Sequence, residues 1–359
     1  MKKLIPLIVS VLLSLNICAQ ISTGGTPPSM NIAMPESSSF QIPTIKLPDI
    51  DEGVLLREDI ERDDSLYRIG KLIPVDIDII TQAKESALDN NYAIYQLKII
   101  SKGAKSIQLS FDKFKLPNDS RLYVYSSDYD YIAGAFTKKN NRDDSKFSIQ
   151  PIIGEEIIIE AVINYERISQ VELKLDYVCH NYKEIEKLEL KSTRTSDCFL
   201  DVHCDNFISN QIRSVMRWSF YDTKKEGNYV CSCVLMNQDV PTNDLKYYVL
   251  TAEHCGDHAD LANATFYFNY QERDCNIGNG TFHYSTVGVT KKAKRSIYEM
   301  YLMELSETPP EYYNVHFAGW DRSNYNDLWP WVFGIHHPHG WVKKSSERVL
   351  ADNTNLLNF

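Results

Sequence analysis

Positive charge is in short supply. The 359 residues carry 38 Lys and Arg against 48 Asp and Glu, a formal net charge of −10, with a pI of about 5.4. An acidic surface repels phosphate backbones, so nucleic acid is not an expected partner. Long apolar runs are also missing: the stretch from residue 4 to residue 15 is too short to span a membrane comfortably. No internal repeat is evident. There is no HExxH pair, and Pro338 in "GIHHPHGW" prevents a helical i, i+4 arrangement of its histidines, so His336, His337 and His339 are not expected to hold a metal. The acidic run "REDIERDD" lacks the glycine turn and terminal bidentate glutamate of a calcium loop. No cofactor is expected.

What is present is ordinary for a globular chain: 43% hydrophobic and 24% charged residues. The length exceeds one typical core and predicts two domains. Lys2 and Lys3, the short apolar run and "NICAQ" read as a signal peptide over residues 1–19, cut after Ala19. A lipoprotein anchored through Cys18 is the rival reading, disfavoured because bulky Ile17 stands where a small residue is wanted. Export predicts a secreted or periplasmic protein in an oxidising compartment. Of eight cysteines, all but Cys18 follow the signal peptide, leaving an odd number and at least one without an intrachain partner.

Residues 20–62, rich in Ser, Pro, Gly and Thr and then acidic, predict a flexible leader. Residues 63–182 predict antiparallel β structure, most economically a β-sandwich. In "SIQLSF", Ile107, Leu109 and Phe111 share a face; in "QVELKLDYV", Val171, Leu173, Leu175 and Tyr177 point one way and Glu172, Lys174 and Asp176 the other. Residues 183–196 predict a charged linker, cleavable at Lys191 or Arg194. Residues 197–359 predict a second β domain, with short strands in "NYVCSCVLM", "KYYVLTA", "ATFYFNY", "GTFHYSTVGV" and "MYLMEL". The fold class is all-β.

The run "VLTAEHC" ends an apolar strand on a histidine followed by a cysteine. It resembles the histidine motif of trypsin-like serine proteases, T-A-x-H-C. "CFLDVHC", "VCSCVLMNQ", "YYVLTAEHCG", "FYFNYQERDC", "FAGWDR" and "GIHHP" fall in the order and approximate spacing of the lysyl endopeptidase branch, over residues 198 to 338. The resemblance implies a double β-barrel, with residues 20 to about 194 as an intramolecular pro-domain. His254 would then be the general base, a task that suits imidazole near neutral pH; the alternative is an ordinary buried histidine at a strand end. The family's orienting carboxylate falls on Glu299, where aspartate is usual, which puts its oxygens roughly one carbon–carbon bond further out; the alternative is a solvated charge. Trp320 would line the substrate cleft, or pack at a barrel edge. Cys231 with Cys255, and Cys204 with Cys275, match family pairs. Cys198 matches a cysteine whose partner lies beyond residue 359, and Cys179 and Cys233 match nothing.

The nucleophile motif, G-[DS]-S-G-[GS]-P, is absent. After His254 come Ser285, Ser296, Ser306, Ser323, Ser345 and Ser346, none flanked by glycine. The expectation is a C-terminally truncated serine endopeptidase precursor with an incomplete second barrel, inactive as written, whose complete relatives take polypeptide substrates and cut after basic residues. The alternatives are a non-catalytic pseudoprotease or binding module, and a carbohydrate-binding sandwich with a vestigial tail.

Overall fold

A computed structural model describes residues 22–31, 41–62, 66–183, 199–204, 210–239, 245–322 and 331–349. The expected signal peptide, most of the linker, both cleavage candidates, Cys198 and Ser323 lie outside the described residues.

The chain is mostly β. In one sheet, Tyr92–Ile100, Glu156–Asn164, Arg121–Ser126 and Ile132–Phe136 follow one another as antiparallel neighbours. Thr44–Lys46 adds to the outer edge of Tyr92–Ile100 in parallel, and Lys84–Ala87 to the same edge in antiparallel register. A second sheet begins with Ser106–Lys115, Glu172–Asn181 and Tyr67–Asp78. Apolar side chains from the facing surfaces interleave between the sheets: Leu97, Ile99, Val124, Ile159 and Ile163 from the first, Ile77, Leu109, Phe111, Leu175 and Val178 from the second.

Two details differ from the sequence pattern, each for a physical reason. The face of Ser106–Lys115 carrying Ser106, Gln108 and Ser110 is buried rather than wet, because the second half of the chain covers it; Gln108 accepts from Asn228 Nδ2 at 3.1 Å. In Glu172–Asn181 the register shifts between Leu175 and Tyr177. This bulge turns Val178 into the core and sends Tyr177 outward onto Leu72, Cys179 and Tyr221. Within the expected leader, Glu52–Glu61 forms a helix. Asp51 caps it, Oδ1 accepting from Val54 N at 3.2 Å, and Leu55 is buried beneath it.

The second half folds into a nearly closed barrel. Its wall runs Ser285–Val287, Thr265–Tyr267, Val215–Asp222, Gly227–Met236, Tyr248–Thr251, Met300–Leu305 and Val289–Arg295, all neighbours antiparallel. Met216, Trp218, Leu235, Val249, Phe266 and Met303 fill it, each almost fully buried. The edge of Gly227–Met236 serves two partners. Residues 234–236 pair with Tyr248–Thr251, while residues 227–230 pair with residues 67–71 of the first half. The second sheet is therefore continuous with the barrel wall. Trp331–His336, Lys344–Val349 and Leu200–Asp201 make a separate three-stranded sheet.

Candidate active site

His254 and Glu299 come together because their two strands are paired in register. Thr251 stands opposite Tyr301. The chain leaving Thr251 and the chain arriving at Tyr301 therefore meet at one end of the pair. Ala252 is still extended, with φ −69° and ψ 147°, and the turn Glu253–Gly256 follows. Gly256 has no room for a side chain: a Cβ there would stand 2.2 Å from Tyr301 Cδ1. Cys255 is bonded to Cys231 of the neighbouring wall strand, and Thr251 Oγ1 donates to Ser232 O at 2.9 Å. The histidine is anchored on both sides.

Glu299 adopts a left-handed backbone, φ 49° and ψ 40°, a conformation uncommon outside glycine. Two backbone bonds hold it: its N–H donates to Ser296 O at 3.1 Å, and its carbonyl accepts from Glu253 N at 3.2 Å. Its carboxylate Oε2 then accepts from His254 N and lies against His254 Nδ1, both at 3.2 Å. The backbone N–H of His254 is the largest influence holding the Glu299 carboxyl below the usual glutamate range, followed by the His254 ring. The pair is open to solvent, with side chains 41% and 58% exposed. With a proton on Nδ1 directed at Glu299, Nε2 is left to accept from a hydroxyl. No described residue hydrogen-bonds Nε2, the described serines included.

A second contact set steadies the turn and was not foreseen in the sequence. Lys294 Nζ binds Glu253 Oε1 at 2.7 Å and also reaches Asp257, and Ser296 Oγ donates to Glu253 Oε1 at 3.1 Å. The available signal was the basic run "KKAKR" preceding the Glu299 segment.

Cys231 Sγ, Cys255 Sγ and a His254 ring nitrogen lie within 4.8 Å of one another. The two sulfurs are bonded to each other, and a disulfide sulfur is not the thiolate that binds zinc. A second disulfide joins Cys204 to Cys275, while Cys179 and Cys233 are buried free thiols whose ionisation burial pushes up. The "GIHHPHGW" histidines go to different neighbours. His336 sits edge-on to Phe199, buried His337 places Nδ1 2.8 Å from Trp341 O, and His339 stacks on Tyr67. Trp320 is exposed at the far end of the strand that carries Cys231. Its Nε1 donates to Asn237 O at 3.2 Å, and from Cys231 to Asn237 is about 20 Å of strand.

Residues 193–358 match the family model described as lysyl endopeptidase, C-terminal domain, a little under half of the chain. The matched segment holds His254, Glu299 and both disulfides. No helix among the described residues is long and apolar enough to cross a membrane.

Proposed function

We propose that residues 193–358 carry the general-base half of a serine endopeptidase site of the lysyl endopeptidase kind, in an exported precursor. The observation that supports this best is the His254–Glu299 contact at 3.2 Å on a turn tied to a wall strand by a disulfide. In such a site Glu299 holds the ring in one tautomer and stabilises the imidazolium, while Nε2 takes a proton from a serine hydroxyl attacking a peptide carbonyl. Cleavage after basic residues is the substrate class carried by the family likeness. The N-terminal region acts as an intramolecular pro-region, with activation at Lys191 or Arg194.

The 359 residues offer no serine in the glycine-rich setting that would also build an oxyanion hole. The polypeptide as given is therefore proposed to lack peptidase activity. The test is release of a fluorogenic lysyl or arginyl amide by purified protein. No release above a His254→Ala control is expected; release that His254→Ala abolishes would overturn the inactive reading while keeping His254 as base. The second reading is a binding module that keeps the anchored turn without hydrolysis. It predicts saturable, uncleaved binding of lysyl peptides that is lost when the Cys231–Cys255 bond is reduced.

A further inference from the structure

The two halves share more than a connecting chain. Backbone pairing joins Gly227, Asn228, Tyr229 and Val230 to Lys71, Gly70, Arg68 and Tyr67, and Leu72 N donates to Glu226 O at 2.9 Å. Strand addition of this kind satisfies main-chain groups that an open edge leaves bare. The apolar cores also cross the boundary. Val287 of the barrel belongs to the cluster between the two N-terminal sheets. Ile69 sits in a barrel-side cluster with Val230, Tyr267 and Val342, and Leu72 and Cys179 pack with Tyr221.

The polar groups at the seam are matched across it. Asn228 Nδ2 donates to Gln108 Oε1 and Asn181 Oδ1 at 3.1 and 3.2 Å. Arg142 Nη1 donates to the Ala262 and Val287 carbonyls at 2.9 and 3.2 Å. Gly288 leaves the space for it, since a Cβ there would meet Arg142 Nη1 at 2.0 Å. Tyr221 OH lies 3.1 Å from Ser148 Oγ. Separation would expose three apolar clusters and strip partners from buried Asn228, Gln108 and Tyr221, so the seam resembles an obligate interface rather than a transient one. The same arrangement leaves His254 and Glu299 exposed, and no described residue of the N-terminal half hydrogen-bonds either.

We infer that the N-terminal half is a permanent partner of the barrel. It stays bound as a second chain after the connection is cut, and it extends the sheet from one wall strand instead of covering the histidine. This goes beyond the hydrolase reading and does not depend on it, because its test reads association and not activity.

A recognition sequence for a site-specific protease is placed between residues 184 and 198 of the full chain and cut, and the product is run on size exclusion without denaturant. Both fragments are expected in one peak at the mass of the uncut chain. Amide exchange at residues 228–230 is expected to stay within about tenfold of the uncut protein. Two native peaks with one fragment each, or exchange at residues 228–230 faster by roughly a hundredfold or more, would overturn the inference. Ile69→Asp in the same cleavable chain puts a charge into the shared cluster and is expected to release the fragments on cutting. If that variant does not accumulate folded, the cut wild-type chain decides alone.

Discussion

At the scale of the residue, the contact between His254 and Glu299 sets the ring's tautomer, since only an Nδ1–H donates to the carboxylate. Glu299→Gln keeps the size but replaces an ionised acceptor with an amide that can present either an oxygen or an NH2. The expected result is a lower fraction of the Nδ1–H tautomer at neutral pH, read from the ring nitrogen shifts of labelled protein. An unchanged tautomer ratio would mean that Glu299 does not orient the ring. A second residue-scale consequence concerns Lys343, fully buried with Nζ donating to Ile212 O at 2.7 Å and Gln271 Oε1 at 3.0 Å. Burial pushes its ammonium from the ordinary 10.5 down to about 7. Between those values the unfolded chain holds the proton and the folded chain does not, so this group makes stability rise with pH across that window; below about pH 7 the penalty of burying the charge is fully present. Lys343→Met removes a slope of up to about 1.4 kcal/mol per pH unit. Urea unfolding of wild type and variant between pH 7 and 10 should therefore give flatter pH dependence in the variant; parallel curves would show that Lys343 stays charged.

At the scale of the element, the Cys231–Cys255 bond closes a 24-residue separation and fixes the histidine turn to the wall. A loop of that length is worth about 3.5 kcal/mol by chain entropy. The double variant Cys231→Ala, Cys255→Ala should lose roughly 2–4 kcal/mol in urea unfolding. It should also exchange the backbone amide at position 255, which in the wild type donates to Ala252 O, faster than wild type; unchanged stability would place the anchoring in Tyr301 packing against Gly256 instead. The strands around this turn were legible in the sequence. "MYLMEL" is the strand Met300–Leu305, alternating between half-buried and buried residues, and "NYVCSCVLM" falls within Gly227–Met236. What periodicity could not reveal is what covers an outward face. Gln108 is polar by type, yet it is buried and accepts from Asn228 of the second half. A register shift between Leu175 and Tyr177 is equally silent, since either neighbour could occupy the core. Glu299 could be placed beside His254 only through the motif, because its left-handed backbone and the paired carbonyl of Glu253 are not written in any spacing. The tie from Lys294 to Glu253 joins residues far apart in sequence; the basic run "KKAKR" shows that a cation is at hand but not which carboxylate it meets.

At the scale of the whole molecule, composition divides the chain into two parts and the structure joins them through one sheet. All five tryptophans, Trp218, Trp320, Trp329, Trp331 and Trp341, lie in the second half, and Trp341 packs at the seam against the cluster that includes Ile69, so tryptophan emission follows that half and its seam. Leu97 lies in the first half, fully buried between the two N-terminal sheets, in the cluster that also contains Val287 of the barrel. Leu97→Ala leaves a cavity and should cost about 2–5 kcal/mol. If the two halves unfold as one cooperative unit, the loss must appear undiminished in a probe whose residues all belong to the other half. The expected outcome is that the tryptophan and far-ultraviolet circular dichroism transitions shift together to lower urea by the same amount. A tryptophan transition that stays at the wild-type midpoint while the circular dichroism curve splits in two would show that the shared strand and shared cores do not couple the halves. The barrel would then be a domain that stands by itself, and its histidine turn would owe nothing to the N-terminal strand beside it.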